Sequence, residues 1–356
     1  MKRLYLFISF LYSTSLFGQT NCALGIIPNS NEISYNQNEI DTTLQLSKYD
    51  AYFLGESHTV DFEPEFKFHF IKHLNSKYGV KDIFMEIGYS AAYFFNQYLQ
   101  TGDTNILQTN RLPYLWGKYK IFWKNLRIYN STLQDSLKVV IHGIDFERIE
   151  IFKLLEKARD TSIKISDNLR QTFEIINTKS SNSNLFYGDK EFSKTLSSLK
   201  EIFSKNTDEF KLLFKNNFNI VKSSLNNISN ANSSFSERNE NWLINLRQII
   251  IDSKISKFIG FFGAAHTRYN NKASLTVAIK NSNFFKGKIL NIATVYSHYS
   301  QGGNQIIEYG HNEVETFETY YNKNCRAVIV KSSEVPKLNF KTESDFIIFA
   351  KEIIDR

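Results

Sequence analysis

The chain has 356 residues, of which 42% are hydrophobic, 15% aromatic and 22% charged, with a formal net charge of +7. That length supplies a sizeable core for one large domain or two small ones, and the hydrophobic share excludes a disordered chain. Four prolines and fifteen glycines exclude collagen-like or linker-rich sequence, and two cysteines are too few for a disulfide scaffold or a four-thiolate zinc site.

At the N-terminus, Lys2 and Arg3 precede an apolar run from Leu4 to Phe17 that closes with Gly18 and Gln19. This order reads as an export signal over 1–19, too short to span a bilayer. Without it the chain keeps 41 basic residues against 36 acidic, a net +5 carried mainly by scattered lysines. No nucleic-acid surface is expected from that pattern. The mature chain, 20–356, is expected to be periplasmic or secreted, with no stable membrane span. In an oxidising compartment Cys22 and Cys325 are candidates for a disulfide. Lipid attachment at Cys22 is the weaker reading, because Phe-Gly-Gln-Thr-Asn before it lacks the usual small-residue pattern.

Short apolar runs follow at Asp50–Leu54, Asp82–Glu86, Lys138–Ile144, Lys257–Phe262, Lys288–Tyr296, Arg326–Val330 and Asp345–Phe349. They are nearly continuous in Val, Ile, Leu and Phe, as expected of strands covered on both faces. Between the first two, Phe66, Phe70, Leu74 and Tyr78 recur at helical spacing and stop at Gly79. A second helical pattern runs from Ile121 to Leu133. The alternation predicts an α/β fold, a mainly parallel central sheet flanked by helices. Between the third and fourth strands, residues 147–250 show helical patterns at Ile151–Ala158, Leu169–Ile176, Phe192–Phe203, Phe210–Leu225 and Trp242–Ile251. A crossover needs only about a dozen residues, so this segment reads as a large helical insertion or cap within a single domain.

Ligands of parallel sheets bind beyond the carboxyl ends of the strands, so the residues there are the candidates. Gly55-Glu56-Ser57-His58 follows the first strand, Glu86 closes the second, Gly143-Ile144-Asp145 closes the third, and Gly263-Ala264-Ala265-His266 follows the fourth. Taken singly, Glu56, Glu86 and Asp145 also suit helix capping, Asp145 for a helix near Phe146. His142 sits inside an apolar run and reads as structural. His69 and His73 lie one helical turn apart but lack an acid between them, so a solvated helix face is the simpler reading. His298 and His311 have only their position in their favour.

These fragments, in this order, resemble the superfamily that contains erythromycin esterases, haem-binding ChaN-like proteins and Tiki metalloproteases. The similarity rests on Leu54-Gly-Glu-Ser-His58, Phe84-Met-Glu86, Gly143-Ile-Asp145, the Arg238-Asn-Glu-Asn-Trp-Leu-Ile-Asn245 segment, Gly263-Ala-Ala-His266 and the closing Asp345–Phe349 run. Together they cover Ser47 to Phe349. Two departures stand out. Only Ser57 separates Glu56 from His58, as in the ChaN-like branch, and Lys67 stands where the esterases carry an Arg. A lysine cannot copy bidentate guanidinium geometry.

The resemblance implies a hydrolase acting on a small-molecule or peptide substrate. His58 would be the general base that activates water, with Glu56 or Glu86 orienting it. His266 would support the oxyanion or leaving group, with Lys67, Asp145 and Arg238 completing the site. No Gly-x-Ser-x-Gly elbow is present, so a serine nucleophile is not expected. In this leading reading no cofactor is needed. In the Tiki-like alternative His58, His266, Glu56 and Glu86 hold a divalent metal (Mn, Co or Zn). A ChaN-like alternative binds haem without catalysis. The sequence leaves the oligomeric state open.

Overall fold

The computed structural model describes residues 22–26, 33–57, 60, 62–109, 112, 115, 117–181, 190–227, 234–296, 298–301, 305–308, 325–335 and 344–350. The expected signal over 1–19, His58 and His311 lie outside the described residues, as do the side chains of Cys22, Cys325 and His298.

All seven apolar runs form strands. In chain order the strands are β1 (Cys22–Ile26), β2 (Ile33–Tyr35), β3 (Ala51–Glu56), β4 (Asp82–Met85), β5 (Val140–Gly143), β6 (Phe258–Gly263), β7 (Ile289–Tyr296), β8 (His298–Gln301), β9 (Gln305–Glu308), β10 (Cys325–Lys331) and β11 (Phe346–Ala350). Nine of them build one sheet in the order β2-β1-β10-β11-β7-β3-β6-β4-β5, while β8 and β9 pair separately. Every pairing from β11 through β5 is parallel, and β10, β1 and β2 extend the sheet antiparallel. The four strands that the apolar runs did not announce, β1, β2, β8 and β9, are three to five residues long. So short a run carries no periodic signal. The β1–β10 register sets Gly25 against Cys325 and Cys22 against Val328, so the two cysteines are offset along the ladder.

Both central strands, β3 and β6, are buried along their whole length because helices cover each face. Alternate residues of β3 feed two separate apolar clusters. Tyr52 and Leu54 join Phe66, Phe70 and Leu74 on one face, whereas Phe53 joins Phe84, Phe258 and Trp242 on the other. The first helix after β3 spans Phe62–Tyr78 and stops at Gly79, whose φ of +67° is a conformation glycine adopts without strain.

That helix is not solvated where His73 lies. His73 is buried, with Nε2 3.2 Å from Asp41 Oδ1, because the Gln37–Leu44 helix covers this face. His69 stacks on Tyr35 at 5.2 Å between ring centroids. The expectation of an open helix face is therefore corrected by the covering N-terminal segment. The second helical pattern is the Tyr119–Ser131 helix.

Among the described residues six α-helices separate β5 from β6, at Glu150–Lys157, Asp167–Ser181, Lys190–Lys205, Thr207–Phe214, Phe218–Asn226 and Phe235–Ser253. The expected Phe210–Leu225 helix is two helices. They are divided by a 3-10 turn at Lys215–Asn217, where Lys215 has a φ of +43°. Phe210 packs against Phe173, Phe203 and Phe214 with centroids 6.3, 5.1 and 5.6 Å away, and these rings continue the apolar cluster that holds Tyr52 and Leu54.

Candidate functional site

The parallel strands all end on one rim, and the ladder fixes which ends are neighbours. Glu56 is opposite Gly263 in the β3–β6 register, so the two Gly-x-x-His segments leave the sheet side by side. The short Ala264–Thr267 helix lies directly against Gly55, where a Cβ would stand 2.6 Å from Thr267 Oγ1. Only glycine permits that approach.

The first half of the site forms where β3 meets the Phe62–Tyr78 helix. Lys67 is fully buried and its ammonium pairs with Glu56 Oε2. The same Nζ donates to the Tyr119 hydroxyl at 2.7 Å and lies 3.6 Å from Glu63 Oε2. The rings of Tyr119 and Phe261 stand 5.1 and 5.3 Å from that cation. Burying an ammonium is tolerable only with such compensation. Glu63 is buried as well, and its Oε1 accepts from the Ser57 N–H at 2.5 Å and the Tyr296 hydroxyl at 2.7 Å. Burial drives the Glu63 carboxyl well above the usual carboxylate range. Lys67 opposes this, and Glu56 adds to it. Glu56 Oε1 has no hydrogen-bond partner among the described residues.

The second half is organised by Arg238, on the helix that a Ser234–Glu237 capping box begins. Its Nη2 donates to Glu86 Oε1 and to Asp145 Oδ2, each at 2.7 Å, and its Nε donates to Asp145 Oδ1 at 3.1 Å. The guanidinium lies between the rings of Phe146 and Trp242, 5.0 and 4.8 Å from their centroids. Trp242 also donates its indole N–H to Asp145 Oδ1 at 2.8 Å. Glu86 Oε2 accepts from the Gly263 N–H at 2.9 Å, joining β4 to the second Gly-x-x-His turn. His266 is buried, stacked between Phe235 and Trp242 at 4.5 and 4.3 Å. Its Nδ1 meets Asn239 Oδ1 at 2.7 Å, and a carbonyl oxygen can only accept, so Nδ1 is the donor of this pair.

Six of the seven candidate residues, Glu56, Glu86, His266, Lys67, Asp145 and Arg238, are thus on one rim. His58 is outside the described residues; of its neighbours, Val60 N–H donates to Ser57 C=O at 3.2 Å. The capping roles do not hold for the three acids. The helix expected near Phe146 begins at Glu150, so Asp145 caps nothing. The helix after β4 is capped by Glu147, whose Oε1 accepts from Tyr89 N–H at 2.7 Å. His142 is structural, bonded through Nε2 to Asp82 at 2.8 Å and stacked on Phe84.

Sequence reasoning did not single out Glu63, Tyr119, Tyr296, Asn239 and Trp242. Glu63 had a legible signal, four residues before Lys67 on one helix face. Asn239 and Trp242 lie inside the Arg238–Asn245 segment. Tyr119 and Tyr296 arrive from distant elements and carry no local pattern.

The fold and this rim define the class: a doubly covered, largely parallel α/β protein with a buried acid–cation–imidazole site at the carboxyl ends of its strands. Solved structures share that fold at low identity. An erythromycin esterase, EreC, in its open conformation is 12% identical with a TM-score of 0.60, covering 89% of this chain and 94% of the other. A succinoglycan biosynthesis protein is 13% identical with a TM-score of 0.59 over 94% of each chain. A Bacillus cereus protein is 14% identical with a TM-score of 0.56, covering 89% of this chain and 92% of the other. No family model and no curated protein matches the sequence.

Proposed function

We propose that this protein is an exported hydrolase in which His58 activates water for attack on an ester carbonyl. The observation that carries the reading is the rim itself: three buried carboxylates, each held by a cation, beside an imidazole anchored by Asn239. Such pre-oriented charge is what stabilises a reaction whose transition state develops charge. The fold shared with an erythromycin esterase agrees with this class of chemistry.

In this reading Glu56 Oε1 accepts the ring N–H of His58, so the other ring nitrogen is the base. That nitrogen removes a proton from water as the water oxygen bonds to the carbonyl carbon. The tetrahedral intermediate then expels the alcohol, and the proton passes from His58 to the departing oxygen. His266, with its Nδ1–H held by Asn239, supports the oxyanion as the imidazolium, donating from Nε2. Lys67 is enclosed with Glu56 and Tyr119, so its charge serves Glu56 and acts on the substrate only through it. Arg238 and Asn239 descend from the last helix of the 147–250 segment, which in this reading frames the substrate as a cap.

The described residues do not favour a divalent metal here. Glu56 already neutralises Lys67 and Glu86 shares Arg238, so a metal ion would add positive charge to cations that both acids are holding. No group of three His, Cys, Asp or Glu side chains among the described residues is arranged as a metal site. No helix among them is long and apolar enough to cross a membrane.

An ester and peptide screen with metal analysis tests the proposal. We expect hydrolysis of an ester by metal-free protein, insensitive to chelator, with His58→Ala lowering kcat by about 10²–10⁴-fold. Full activity in His58→Ala would remove the general base from the mechanism. Chelator-sensitive activity would favour the metal-dependent alternative, and a Soret band on haem titration without hydrolysis would favour a haem-binding module.

A further inference from the structure

The Glu56–Lys67–Glu63 cluster holds two carboxyl groups and one ammonium, all buried. Among the described residues the groups facing Glu63 are Lys67 from its own helix, Glu56 and the Ser57 N–H from the end of β3, and the Tyr296 hydroxyl from β7. Tyr119 approaches from a further helix and touches Lys67. If both acids were ionised, these three described groups would hold one uncompensated negative charge away from water, which burial strongly disfavours. One proton must therefore reside there. Glu56 is in direct contact with the ammonium, whereas Glu63 stands off at 3.6 Å, so the geometry puts the proton on Glu63. The upward displacement of its carboxyl by burial agrees with that assignment.

We propose that Glu63 is a proton-bearing positioning residue that keeps Lys67 committed to Glu56. While Glu63 is uncharged, it anchors the end of β3 through the Ser57 N–H and leaves Glu56 as the carboxylate that pairs with the ammonium. When Glu63 loses its proton, two carboxylates compete for one cation, and the Glu56 carboxylate that orients His58 is displaced. The site is then governed by a titration outside His58 itself. This role rests on the hydrolase reading for its effect on activity, but the location of the proton does not.

The test compares wild type, Glu63→Gln and Glu63→Ala in two independent measurements. The first is the thermal midpoint against pH, which needs no substrate. An acid protonated in the fold and ionised when unfolded makes wild type lose stability as pH rises. The difference in midpoint between Glu63→Gln and wild type should therefore grow towards alkaline pH. A difference independent of pH overturns the proton assignment. The second is the pH profile of kcat on an ester that wild type hydrolyses. We expect Glu63→Gln to keep kcat within about twofold at neutral pH and to lack the alkaline fall seen in wild type. Glu63→Ala, which loses the contact to Ser57, should lower kcat by about 10²-fold with little change in KM. Equal loss in Glu63→Gln and Glu63→Ala, or full kcat in Glu63→Ala, overturns the positioning role. If wild type hydrolyses nothing in the screen, the hydrolase reading fails and the thermal comparison alone decides where the proton is.

Discussion

Arg238 joins two acids from different strand ends with a single guanidinium, closing on Asp145 through Nε and Nη2 and on Glu86 through Nη2. The fork geometry is what makes this feasible, since one ammonium cannot present paired parallel donors to Asp145 while also reaching Glu86. Arg238→Ala leaves Asp145, which is fully buried, without its main counter-charge. We expect a loss of about 3–5 kcal/mol, read as a lower urea midpoint at unchanged m-value. Arg238→Lys should recover less than half of that loss. Near-complete recovery would mean that charge alone, and not fork geometry, holds the two acids. The Lys67 position shows the complementary case. There an ammonium suffices because its partners, Glu56 and the Tyr119 hydroxyl, each need only one N–H from it.

Among the elements, β5 has the most exposed task, because it is the last strand of the sheet. An unprotected edge invites pairing with another chain. Here two asparagine side chains stand in for the missing strand. Asn96 accepts from the Ile141 N–H and donates to the Ile141 carbonyl, both at 2.8 Å, and Asn130 Oδ1 accepts from the Val139 N–H at 2.7 Å. Asn96→Ala should destabilise the fold by about 1–3 kcal/mol and promote self-association, measured together by thermal unfolding and light scattering. A variant as stable and as monodisperse as wild type would show that water caps this edge equally well. Gly143 tightens the same element, since a Cβ there would sit 2.2 Å from the Gly88 carbonyl oxygen. The turn bearing Glu86 can therefore lie directly on the strand that leads to Asp145.

For the molecule as a whole, buried acids set the direction of its pH response. Burial pushes the Glu147 carboxyl up to about 8, against the hydrogen bonds from Ser90 and Tyr89, and pushes Glu150 up to about 7. Both values lie above that of an unfolded carboxyl, so the folded state binds more protons. The stability they contribute is fully present below pH about 4.5 and is lost as pH rises through about 7 and 8. We expect the thermal midpoint to fall between pH 5 and pH 8.5, and Glu150→Gln to flatten that slope. A midpoint that rises over this interval would show that these acids are ionised in the folded protein.

The sequence by itself determined the layers of this protein and the strand ends that matter. Continuous apolar runs specified buried strands because a doubly covered sheet leaves no polar face to alternate. Glycines followed by Glu or His marked the rim because turns at strand ends need small residues and place polar ones outward. The Trp242–Ile251 periodicity announced the helix that delivers Arg238, while its start at the Ser234–Glu237 capping box came from the structure. The tertiary structure decided the partnerships. Glu56 with Lys67, Glu86 with Arg238, and Glu63 with Tyr296 join residues from separate elements, and sheet order, which no local pattern encodes, sets which ends are neighbours. It also decided the burial of His73, because a covering helix formed from distant residues displaced the water that its spacing implied. Periodicity reports how one element meets solvent. Which charges share a dry site, and which of them must keep a proton, follows only from the packing of several elements together.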